Sequence, residues 1–314
     1  MGILDKILSP TGLGAKALFV LGLLLGASVF AIVLMSVYVV NHVTTPPRLN
    51  ADIPPDTFFR PTIVEFSTPS GSREGWFFPG LKGAPTIIVC HGYGSGRADF
   101  LTMVSALQEH QYNAFIFDFA GHGKSSGRTS FGAGETKEVL AAINELANRD
   151  DVDKDRFGIW GVDLGGYAAL SAAAGDKRIQ AVAVESVFDS PNQMLNLQLE
   201  RSGLTRVPLL SRFSGWIFTV MNFSSRKDAP LTEKVKSLAG IPKLFIQTRA
   251  NPQISEVNRQ LFISATEPKE QSILAKPTYA AMQAEEKKEY ENSLVVFFLA
   301  HLPIGGKPAS QPPR

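Results

Sequence analysis

The apolar and polar positions divide the chain into two unlike parts. From Ala17 to Val40 it reads ALFVLGLLLGASVFAIVLMSVYVV, with no charge and no proline. A helix of that length reaches about 36 Å, enough to cross a hydrocarbon core of about 30 Å with some tilt. A cleaved signal peptide has an apolar stretch of only about 7 to 15 residues ending in small ones. Here the run continues past Ala31 through Ile32, Val33, Leu34 and Met35, so a retained single-pass membrane anchor is predicted. Lys6 and Lys16 before the run are matched by Arg48 and Arg60 after it. The expected orientation has the N-terminus inside and the globular domain on the extracytoplasmic side. Gly22 and Gly26 form a GxxxG pair suited to weak self-association of two anchors.

Beyond residue 60 the period changes. Thr62–Thr68 and Glu74–Phe78 read as short strands, followed by the buried-type run TIIVC at Thr86–Cys90. Phe100, Met103, Val104 and Leu107 then recur at helical spacing. The alternation continues with a strand at 114–117, a helix at 135–147, a strand at 157–160, a helix at 165–174 and a strand at 181–184. KLFIQ at 243–247 resumes the core after a break, and a helix is expected from Glu256 to about Ala265. A strand at 271–275 and a closing helix at 285–302 follow, the helix with Tyr290, Leu294, Phe297, Phe298 and His301 on one face. Strands apolar on both sides and separated by helices predict an α/β fold, a mainly parallel sheet with helices on both faces. The expected domains are an N-terminal segment (1–16), the anchor (17–40), a Pro-rich linker (41–60), a globular domain (61–303) carrying a small cap insertion (187–240), and a tail (304–314).

Composition supports this division. The 314 residues are 44% hydrophobic and only 19% charged, with net charge +2 and mean hydropathy +0.03. These values exclude a disordered chain and a strongly basic nucleic-acid binder. A single cysteine, Cys90, leaves no disulfide framework. The five histidines, His42, His91, His110, His122 and His301, are scattered, so neither a metal site nor a cofactor is expected. The start MGILDK has Lys6 where an N-myristoylation signal needs Ser or Thr.

Candidate chemistry lies in the loops at the carboxyl ends of the strands. The loop His91-Gly92-Tyr93-Gly94-Ser95-Gly96 is glycine-rich, and Asp118 ends the next strand, an arrangement that imitates a dinucleotide fingerprint. The third glycine of that fingerprint is replaced by Arg97. The other reading is an oxyanion loop. HG after a central strand, the turn Asp118-Phe119-Ala120-Gly121-His122-Gly123-Lys124-Ser125, and Gly161-Val162-Asp163-Leu164-Gly165-Gly166 after the strand FGIW together resemble the α/β-hydrolase family. The resemblance covers about residues 60 to 303. It is closest to the serine hydrolases, including esterases and aminopeptidase-like enzymes. It implies an α/β-hydrolase fold, oxyanion-type N–H groups at Tyr93 and Leu164, a site edge formed by His91, Gly92, His122 and Glu185, and His122 as a turn-stabilising residue.

The departures fall on the reacting positions. The elbow that presents serine in the family carries Asp163, which would also sit at a helix N-terminus where its carboxylate can accept N–H bonds. The family's acid position holds Asn251, which accepts a hydrogen bond but carries no charge to steady an imidazolium. The base position falls near Tyr279, with no histidine between Gln271 and Tyr290. Two functions follow from the resemblance. In one, triad chemistry is lost and the chain is a membrane-anchored binding or regulatory module for a small molecule or peptide. In the other, Asp163 is the nucleophile of an active hydrolase of ester, amide or carbon–halogen bonds, as in the haloalkane dehalogenase and epoxide hydrolase branches. His91, His122 or His301 would then be the base and Glu185 its acid.

Overall fold

The computed structural model describes residues 12–47, 60–223, 228–248, 251–274 and 278–305. Most of the linker, nearly all of the tail, and Lys6 and Arg48 lie outside the described residues. By internal packing the chain forms two units, Met1–Val43 with Leu195–Arg226, and Thr44–Met194 with Lys227–Arg314.

The larger unit is built on one eight-stranded sheet of order β1-β2-β4-β3-β5-β6-β7-β8. Its strands are β1 (Thr62–Thr68), β2 (Gly71–Phe78), β3 (Thr86–Cys90), β4 (Asn113–Phe117), β5 (Phe157–Val162), β6 (Ile179–Glu185), β7 (Lys243–Gln247) and β8 (Lys269–Ile273). β2 runs antiparallel to both β1 and β4, and all other pairs are parallel. β3, β4 and β5 are buried at every residue, as their unbroken apolar sequences require of strands covered on both faces. Ile87, Val89, Trp160 and Ala183 point to one face, where α2 (Leu101–Glu109) and α9 (Ala284–His301) supply Met103, Leu107, Leu294 and Phe298. α3 (Ala133–Leu146) and α4 (Leu164–Ala173) also pack on the sheet, and all ten residues of α4 are buried.

Element types follow the sequence closely, and the ends differ for local reasons. β2 starts at Gly71 rather than Glu74, because Gly71 (φ 114°) makes the hairpin turn from β1. The predicted strand 271–275 lies two residues early, as β8. KEQSI has no apolar signature because it is a half-exposed edge strand whose position is set by pairing with β7. α8 (Pro252–Ser264) begins four residues before the predicted Glu256, with Pro252 in its first turn and the Asn251 side chain accepting from Gln253 N–H at 2.8 Å.

In the smaller unit, α1 (Leu13–Val43) has 31 residues, about 46 Å of helix, and overruns the predicted span at both ends. Nothing lies within 4 Å of where side chains on Gly22 and Gly26 would begin. The unit takes only Leu195–Arg226 of the expected 187–240 insertion. This contains most of α5 (Pro191–Arg201), a short turn at Leu204–Arg206 and α6 (Pro208–Met221), against which α1 packs. The short helix α7 (Leu231–Lys234) belongs to the larger unit.

A buried ion pair ties β2 to α3. Arg73 donates to Glu138 Oε1 at 2.7 Å, and Ser70 Oγ and the Ala120 N–H complete the carboxylate's partners. Burial pushes the Glu138 carboxyl up, opposed by the Arg73 hydrogen bond. Removing one member of such a pair strands the other, at about 3–5 kcal/mol. Arg73→Leu is therefore expected to lower unfolding stability by about that amount in denaturant titration of the detergent-solubilised chain.

Candidate active site

The candidate site lies where β3, β5 and β6 end. Asp163 joins β5 to α4 with φ 51° and ψ −107°. A non-glycine residue there costs on the order of 1–3 kcal/mol unless its surroundings hold it. Two backbone bonds do so, from Asp163 N–H to Glu185 O at 2.8 Å and from Tyr167 N–H to Asp163 O at 3.0 Å. The turn also needs glycine at its flanks. A Cβ on Gly161 would overlap the Gly165 carbonyl, and one on Gly165 would overlap the Cys90 carbonyl. This strand–turn–helix has the geometry of a nucleophile elbow.

The Asp163 side chain faces the loop after β3. Asp163 Oδ2 accepts the Tyr93 N–H at 3.3 Å, and a Cβ on Gly92 would stand 3.5 Å from Asp163 Cβ. The expected capping bond to its own helix is not made, because the positive φ turns the carboxylate toward Tyr93. Leu164 is fully buried as the first residue of α4, so its N–H is one of the helix's terminal donors, outside the i→i−4 ladder. The structure thus brings Gly92, Tyr93, Asp163 and Leu164 together.

The other predicted site residues are engaged in structural contacts. Asn251 is the N-cap of α8, its side chain accepting from Gln253 N–H and Ile254 N–H. Tyr279 is fully buried, stacked on Phe100 (5.2 Å between centroids) and set edge-on to Trp160. Its hydroxyl bonds Glu291 Oε1 and lies 3.0 Å from Thr102 Oγ1, and burial pushes the phenol's pKa up. Glu185, at the end of β6, accepts the Tyr290 hydroxyl at 2.8 Å and the Tyr279 N–H at 3.1 Å. Burial raises its carboxyl to about 7, against those two hydrogen bonds and aided by the nearby charge of Asp163. The sequence placed Tyr290 on the buried face of the closing helix; its bond to Glu185, and those of Thr102 and Glu291 to Tyr279, were missed. The available signal was polar side chains on otherwise apolar helix faces.

Each of the three histidines weighed as a base makes a hydrogen bond of its own, and His122 Nε2 is buried without a partner. His91, fully buried, donates from Nδ1 to the Gly92 carbonyl at 2.8 Å and accepts the Phe119 N–H on Nε2 at 2.9 Å. Both ring nitrogens are used, and burial lowers its pKa. His122 bonds the Ala120 carbonyl through Nδ1 at 3.0 Å inside the turn. Burial and the neighbouring His91 take its pKa down to about 3, so it stays neutral. His301 pairs with Glu270 at 2.6 Å. Glu270 lies near the amino end of β8, so this pair is at the opposite end of the sheet from Asp163. Asp118 is no ribose acceptor either, since its carboxylate takes the Arg97 N–H at 2.8 Å and the Lys124 N–H at 3.3 Å. Among the described residues no group of His, Cys, Asp and Glu is arranged to hold a metal ion.

An eight-stranded sheet of this order, with a glycine-flanked elbow after β5 facing the loop after β3, defines an α/β-hydrolase fold. The chain belongs to the α/β-hydrolase fold family, whose sequence pattern it matches over residues 85–225. It is 30% identical to the protein YfhR of Escherichia coli K12 over 249 residues, 76% of this chain and 81% of YfhR. It is 32% identical to a polyketide transferase, grgF, of a Penicillium species over 133 residues, 40% of this chain and 45% of that one. The Pyrococcus furiosus esterase Pf2001 has the same fold, with a TM-score of 0.64 at 21% identity, covering 82% of this chain and 99% of the esterase.

Glu185 gives the site a pH signature. Its folded pKa, about 7, lies above the ordinary value of 4.5. Between those values the folded state binds a proton that the unfolded state has lost, so this group's contribution falls as pH rises from about 4.5 to about 7 and is constant above. Denaturation at pH 5 and pH 7.5 is expected to show the parent losing about 2 kcal/mol more than Glu185→Gln across that interval.

Proposed function

We propose that this chain is a membrane-anchored α/β-hydrolase-fold protein without triad chemistry, acting as a binding or regulatory module. α1 is its single-pass anchor, with the N-terminus inside and the folded domain on the extracytoplasmic side. The observation that carries the reading is the state of the elbow. Its residue is a carboxylate already bonded to the Tyr93 N–H, one of the donors that would stabilise a developing oxyanion. That no base is positioned on Asp163 among the described residues supports the same reading. Tyr279 stands about where the histidine belongs, with its hydroxyl on Glu291, and Asn251, in place of the acid, caps a helix.

Attack by Asp163 on an ester or a carbon–halogen bond would leave a covalent ester on the enzyme. Its hydrolysis needs a base to take a proton from water. With His91 bonded at both nitrogens and burial leaving His122 a weak base, that step has no good agent among the described residues. Tyr93, Asp163 and Leu164 then form a ligand site for a small molecule or peptide.

The full chain in detergent is expected to turn over neither p-nitrophenyl butyrate nor bromobutane, and a fluorophosphonate is expected to label neither it nor Asp163→Ser, since a serine there lacks a base. Turnover that vanishes in Asp163→Asn would overturn the reading. Labelling at Ser125 or Ser126 would relocate the site.

A further inference from the structure

We propose that the outer face of α6 docks on the surface of the bilayer that α1 enters, so that the smaller unit is held by a span and an interfacial helix together. The proposal rests on reading α1 as a membrane anchor. α6, PLLSRFSGWIFTVM, carries one charge, Arg212. Its inner face, Leu210, Ser214, Ile217 and Phe218, is buried. The opposite face is apolar as well. Leu209, Trp216 and Val220 recur at i, i+7 and i+11, Phe223 continues the line at i+14, and all are exposed, Trp216 to 61% and Phe223 to 68%.

A helix on the surface of a water-soluble protein places charge on its outer face. An apolar face bearing tryptophan, set beside arginines, is the pattern of a helix lying in the headgroup layer. Arg201 and Arg206, just before α6, and Arg212 within it are exposed, with Glu200 the one acidic residue from Leu195 to Phe223. That balance suits anionic headgroups.

The lipid surface is favoured over a protein partner by what α6 already touches. α1 packs against it within the same unit. The buried residues of α1, Ser36, Val39, Val40 and Val43, lie at its carboxyl end, where the chain leaves the hydrocarbon. The exposed stripe of α6 thus extends the apolar surface of the span at interface depth.

Trp216 makes the test direct, because the chain's other tryptophans, Trp76 and Trp160, are 2% and 0% exposed. The full chain is reconstituted into vesicles of phosphatidylcholine and phosphatidylglycerol, with and without bromine on the acyl chains, then floated on a density gradient and read by tryptophan emission. Bromine is expected to quench the parent and leave Trp216→Phe unquenched. A parent that floats with the vesicles but is not quenched would overturn the docking and leave the anchor standing. Quenching that persists in Trp216→Phe would overturn it as well. A chain that does not float with the vesicles would remove the anchor and the docking together.

Discussion

The turn at Asp163 holds the site because three strand ends meet there through their backbones. The Asp163 N–H donates to the Glu185 carbonyl of β6, and the Gly165 backbone lies so close to the Cys90 carbonyl of β3 that no side chain fits between. Those contacts fix a left-handed conformation on a non-glycine residue and aim its side chain at the loop after β3. Any residue at 163 able to adopt φ near 51° is presented to the Tyr93 N–H.

The surrounding polar groups have been drawn into the core. Glu185, Tyr279, Tyr290 and Glu291 form a buried set bonded among themselves, walled by Phe100 and Trp160, with the hydroxyl of the exposed Thr102 at its rim. Buried polar groups of this kind rigidify a fold when all are satisfied, but a side chain committed to such a set is not poised to move a proton for a substrate. His91 follows the same rule, spending both ring nitrogens on loop backbone, whereas His122 bonds backbone through Nδ1 alone and leaves a buried Nε2 without a partner; burial lowers the pKa of both.

Much of this was legible in the sequence. TIIVC, FGIW and KLFIQ are apolar without alternation, and a strand covered on both faces has no other signature, so β3, β5 and β7 were placed closely. The glycines around Asp163 announced the elbow. β8 was misplaced because an edge strand takes its position from its neighbour rather than from its own pattern. The destination of Tyr279 was illegible for a related reason, since a side chain that packs on Phe100 and Trp160 and bonds Glu291 is specified by other elements. The Asn251 cap is local, and its signal was an Asn directly before Pro252. The place of Asp163 at a helix N-terminus suggested a cap, whereas the backbone turn sends its carboxylate elsewhere.

The central claim, that Asp163 does not complete a hydrolytic cycle, is tested most directly by the oxygen atoms of its own carboxylate. Hydrolysis of an aspartyl ester by attack at the carboxylate carbon leaves one oxygen from water on the aspartate. The full chain is incubated with bromobutane in heavy-oxygen water, and the peptide containing Asp163 is weighed by mass spectrometry. The account predicts no more heavy oxygen at Asp163 than in a control without bromobutane; incorporation that depends on bromobutane would contradict it.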